Sequence, residues 1–174
     1  MDSISPIDRD IARLRRSASA LRELVDEIDM GAAAPRELEP VVEFVEDFLL
    51  GFLLPVLRDI VGPHLMATGD VKFLPTLHGP GEDDELLEAL DRLRHGLSDP
   101  AHASELVEGA RMLARSLGAR ADREQVLLAP EFSRTELVDE SLLCRLRAAH
   151  PDLENKRDIA DRLLLALELP DSAA

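Results

Sequence analysis

The sequence predicts an all-α protein, an up-down four-helix bundle followed by one or two additional C-terminal helices. Three observations predict it. Apolar residues recur at helical spacing along the chain, and no segment alternates with a period of two for the length of a strand. Ser, Asp, Gly and Pro punctuate the apolar stretches where helices begin and end. The chain has 174 residues, no Trp and no Tyr, and only 3% aromatic residues. That composition disfavours a β-sandwich or barrel and a base-stacking platform for nucleic acid.

Ser5-Pro6 supplies a cap and a proline for the first helix. Its stripe Ile7, Ile11, Leu14, Ala18, Leu21, Val25 and Ile28 is wholly apolar. Gly31 ends it, and Pro35 starts a second helix running to about Leu65. The middle of this helix is apolar on every side, which predicts deep burial. Pro55 predicts a kink, Gly62-Pro63 a frayed end, and Met66 to Gly81 a loop. The third helix spans roughly Glu82 to Leu97, with the stripe Asp83, Leu86, Leu90, Leu93 and Leu97.

Asp99-Pro100 opens a fourth helix, carrying Leu106, Ala110, Leu113, Leu117, Arg120, Glu124 and Leu127 and stopped by Pro130. A capping box from Ser133 to Glu136 opens a fifth helix holding Leu137, Leu142, Leu143 and Leu146. A last helix uses Ile159, Leu163, Leu164 and Leu167 before Pro170. Residues 1–130 are thus expected to form the bundle, with 131–170 packed on it as part of one domain.

With 20 Lys and Arg against 35 Asp and Glu, the formal charge is -15. Phosphate backbones and anionic lipid surfaces repel such a chain, so neither nucleic acid nor membrane is an expected partner. A basic protein or a second copy of the chain remains open as a partner. The apolar run Phe48 to Leu57 is about half of a bilayer span. The N-terminus has no basic region followed by an apolar one, so a cytoplasmic protein is expected. The single cysteine, Cys144, excludes an internal disulfide and reads as a buried, inert thiol among Leu142, Leu143 and Leu146.

Three stripe positions are polar: Asp83, Arg120 and Glu124. Asp83 stands in the run EDDE, where an acid also suits the positive end of a helix. Arg120 and Glu124 share one helix face, either turned inward together or paired in solvent. The five histidines flank breaks or helix ends, and no two stand three or four residues apart. They therefore need no role beyond the helix termini.

Two stretches, FLLGFLLPVLRDIVGPHL (residues 48–65) and ARSLGARADREQVLLAP (residues 114–130), together with the short-long, short-long order of helices, resemble the hemerythrin-like bundle. The resemblance implies a His-x-x-x-Glu on each long helix and a histidine on each short one, holding two irons. Carried over, those positions fall on Leu53 and Leu57, on Arg120 and Glu124, on Ile11, and on Asp83, with His78 the other candidate. Only the Glu124 carboxylate matches. A guanidinium stands where a cation would, and arginine does not shed its charge. No di-iron centre, metal or cofactor is therefore expected.

Three functions follow. The first is a metal-free protein binding a small, largely apolar molecule in the vacated centre, walled by Ile11, Leu53, Leu57 and His78. There Glu124 or Asp83 would act as acid or base, and Arg120 would hold an anionic group. The second is an interaction module with a packed core and an acidic surface. The third is a non-haem iron protein with a rearranged site using His64, His78, Asp83 and Glu124.

Overall fold

The computed structural model describes residues 6–67, 82–132 and 140–169, and among them every regular element is helical. The helices are α1 (Pro6–Asp29), α2 (residues 35–67), α3 (Glu82–Ser98), α4 (Ala103–Phe132), α5 (Glu140–Ala149) and α6 (Leu153–Glu168). His78, the Asp83 side chain and the capping box from Ser133 to Glu136 lie outside the described residues. Among the described residues no helix is long and apolar enough to cross a membrane.

Helix starts and stops follow the local chemistry. Gly31 takes a positive φ of 73° after α1, which glycine adopts without a steric penalty. Pro35 opens α2 as a short 3-10 turn, where the Glu37 carboxylate accepts the Ala34 N–H at 3.0 Å. The Asp99 side chain accepts the Ala101 N–H at 2.9 Å and caps the turn leading into α4.

Helix α2 departs from the expected pattern. It does not fray at Gly62-Pro63 but continues to Ala67. Around Pro55 it widens into π-helical turns at Phe44–Leu53 and Leu57–Val61. A proline offers no N–H and crowds the carbonyl four residues back. Wider turns relieve this, and the Leu54 N–H accordingly reaches Leu49 and the Gly62 N–H reaches Leu57, each five residues back. Helix α4 likewise runs through Pro130 to Phe132 rather than stopping before it.

Contacts between helices fix the directions. Arg15 pairs with Asp122 at 2.8 Å and Arg111 with Asp29, so α1 and α4 are antiparallel. Arg92 pairs with Glu108 at 3.0 Å and His95 Nδ1 lies 3.3 Å from Glu105 Oε2, making α3 antiparallel to α4, and Arg94 pairs with Glu46 of α2. The most extensive packings are α3 on α4 and α1 on α4. The last helix, α6, packs on both α1 and α2. The rings of Phe44, Phe48 and Phe52 follow one another along α2, tilted by 32° and 45°, with centroids 5.2 and 5.5 Å apart. Arg13 of α1 sits 6.0 Å above Phe48, and Lys156 of α6 lies 5.9 Å from Phe52.

Gly96 lets α3 touch α4. A Cβ there would lie 2.6 Å from the Leu106 Cα and 2.7 Å from its N, both backbone atoms. Gly96→Ala gains about 1 kcal/mol of helix propensity. Overpacking costs about 1–3 kcal/mol or more, and a backbone obstacle puts this site at the upper end. The expected result is a lower urea midpoint with an unchanged slope; an unchanged midpoint would show that the two helices part freely.

Candidate functional site

Helix α4 carries Arg120 and Glu124 one turn apart, and both are buried, with 6% and 3% of their surface exposed. They form an internal pair, not a solvated one. Arg120 Nη1 lies 3.6 Å from Glu124 Oε1, an ion-pair separation beyond hydrogen-bond length. Glu124 Oε2 is also buried and has no hydrogen-bond partner among the described residues. Burial pushes the Glu124 carboxyl up to about 7, against the pull of the Arg120 and Arg123 charges. A carboxyl that titrates near neutrality can give or take a proton at the pH where the protein works.

The helix register sets what surrounds this pair. Arg15 opposite Asp122 brings the Ile11 turn of α1 to the level of Glu124. Arg92 opposite Glu108 brings the first turn of α3, which contains Asp83, to the level of residues 115–118, the turn before Arg120. Past the Glu46–Arg94 pair, the Phe44–Leu53 turns of α2 pack on α6. Ile11, Leu53, Leu57, Arg120 and Glu124 are all buried. His64, in the last turns of α2, is buried as well. Helix α5 packs on the Leu57–Val61 turn.

The described grooves lie elsewhere. One of about 310 Å³ runs between α2 and α6, bordered by Asp47, Phe48, Asp152, Lys156, Ile159 and Leu163. Another, of about 730 Å³, lies between the end of α1 and the start of α4, bordered by Ile28, Ala33, Leu106, Val107 and Arg111.

A second buried ionic cluster is invisible to the apolar stripe of α1. Asp10 is 1% exposed and Arg157 of α6 is 8% exposed. Arg157 donates to both Asp10 oxygens, at 3.0 and 2.6 Å, in a forked arrangement. Arg13 donates to Asp10 at 2.8 Å and to both oxygens of Asp161, at 2.9 and 2.6 Å. Burial lifts the Asp10 carboxyl above its ordinary value against the pull of Arg157 and Arg13. The buried Ser17 hydroxyl is satisfied locally by the Leu14 carbonyl at 2.8 Å.

Cys144 is exposed, which corrects the expected buried thiol. Leu142 and Leu146 are the buried residues on either side of it, and a residue two positions from each points to the opposite face of α5. Three side chains with metal-ligand spacing do occur among the described residues, toward the other end of α4: His95, His102 and Glu105.

No protein-family model, curated protein or solved structure matches the chain. The fold class established by the structure is all-α, and the chemistry of the site rests on its own residues.

Proposed function

We propose that this is a hemerythrin-like four-helix bundle of residues 1–130, metal-free at its centre, with 131–170 packed on it. On this proposal it binds, in the cytoplasm, a small and largely apolar molecule bearing one polar or anionic group. The observation that carries it is Glu124: a buried carboxyl with one oxygen lacking a partner among the described residues, 3.6 Å from a buried guanidinium. An unpaired buried oxygen costs about 1–3 kcal/mol, and a ligand hydroxyl or carboxyl supplies the missing bond. Protonated Glu124 donates to an anionic group, and ionised Glu124 accepts from a hydroxyl. Arg120 balances the charge in either state. Ile11, Leu53 and Leu57 supply the apolar wall, and Asp83 and His78 are the candidates for a further polar contact. If the ligand is transformed, Glu124 moves the proton and Arg120 stabilises the negative charge that develops.

Titration calorimetry with octanoate, octanol and octylamine tests this. One equivalent of octanoate is expected to bind, octanol more weakly and octylamine least. Arg120→Met is expected to weaken octanoate at least tenfold. Binding of none of the three would leave the alternative, an interaction module with a closed core whose charge of -15 recruits a basic protein or whose surface pairs with a second copy. One observation favours that alternative: Leu53 is 0% exposed, so no water-sized space touches it.

A further inference from the structure

Toward the other end of α4, about 22 Å along it from Arg120, the turn between α3 and α4 gathers two imidazoles and a carboxylate. His95 comes from the last turn of α3, His102 from the 3-10 turn Pro100–His102, and Glu105 from the first turn of α4. One ligand atom from each lies within 4.8 Å of the others. The two imidazole rings stack with centroids 4.2 Å apart. His95 Nδ1 is 3.3 Å from Glu105 Oε2, and His102 Nδ1 is 3.3 Å from Asp99 Oδ2. Yet His102 Nδ1 is buried and has no hydrogen-bond partner among the described residues.

We propose that His95, His102 and Glu105 bind a borderline divalent transition-metal ion of the zinc, copper and nickel class. Two neutral imidazoles and a carboxylate are the donors such ions prefer, whereas magnesium and calcium require a cage of oxygens. Metal–nitrogen bonds of roughly 2.0–2.1 Å would be reached by rotations of these side chains, which are 34–56% exposed. The backbone under them is fixed. Gly96, next to His95, lies directly against Leu106, next to Glu105, and Asp99 caps the turn through the Ala101 N–H. Asp99 stands beside His102 as a fourth ligand or as the carboxylate that orients the ring. The ion would clip α3 to α4. Histidines seven residues apart on a helix and a turn give no i, i+4 signature, so the sequence hides the pair.

The test uses the full chain stripped with a chelator and titrated with zinc chloride by calorimetry and by thermal melting. One equivalent is expected to bind and to raise the melting temperature. His95→Ala, His102→Ala and Glu105→Gln are each expected to weaken binding at least tenfold, and the double histidine variant to abolish both the heat and the thermal shift. His150→Ala, on a remote turn, is expected to change neither. These are surface positions, so circular dichroism should show each variant folded. Binding that survives the double variant, an absence of zinc binding by the parent, or equal binding of magnesium would overturn the proposal.

Discussion

Asp10→Ala is expected to destabilise the protein by about 3–5 kcal/mol, because it strands the guanidinium of Arg157 inside the fold. Asp10 takes both forks of Arg157 and a third bond from Arg13. The remaining partner of Arg157 is the exposed Glu154, at 3.2 Å on a single nitrogen. For a chain of this size the loss corresponds to a fall of roughly 6–20 °C in melting temperature. The damage should be local before it is global. The pair joins α1 to α6, so amide exchange is expected to rise first across Leu153–Glu168, while α3 and α4 keep their protection. Asp10→Asn keeps the shape and part of the hydrogen bonding and should cost less. An alanine variant as stable as the parent would mean that hydrophobic packing alone holds α6.

The second large effect belongs to Glu124 and depends on pH. Its carboxyl titrates near 7 in the folded chain against an ordinary 4.5. Between those values the folded state holds a proton that the unfolded state has released, so stability falls as pH rises through this window. A displacement of that size is worth about 3 kcal/mol, a large part of the 5–15 kcal/mol typical of a domain. Glu124→Gln is neutral at every pH and keeps the shape. The stability of this variant relative to the parent should therefore be level near pH 4 and improve by about 3 kcal/mol by pH 8. The comparison cancels the other titrating groups. A relative stability that stays flat with pH would place the Glu124 charge in contact with water.

The helices were legible because their punctuation is local. Pro35, Gly31 and Asp99 act within one turn of themselves, and a stripe such as Leu86, Leu90, Leu93 needs no knowledge of its partner. Arg120 and Glu124 were legible for a related reason, since they interrupt a stripe that is otherwise apolar. Asp10 and Arg157 escaped because each looks solvated alone and the two are far apart in sequence. The clue was present in Leu24, which falls outside the Ile7–Ile28 stripe of α1 and yet is buried. Helix α1 thus has more than one inward face, and through Asp10 and Arg13 it meets α6. Drawn from Leu153, the inner stripe of α6 runs Leu153, Arg157, Ala160, Leu164 and Leu167, and the arginine interrupts it just as Arg120 interrupts α4.

The π-helical widening of α2 was not legible. Pro55 announces a broken bond, but whether the helix kinks or widens depends on the packing of Phe44, Phe48 and Phe52 against α6 and its neighbours. The His95–His102–Glu105 group needed the close approach of Gly96 to Leu106, which is a tertiary fact.

The most direct measurement is a carbon-detected NMR titration of the Glu124 side-chain carboxyl, assigned by its absence in Glu124→Gln. A midpoint near 7 is the expected result. A midpoint in the ordinary range for glutamate, about 4.3, would mean that water or a full hydrogen-bond set already satisfies the carboxylate, and neither the acid/base role nor the ligand contact would stand.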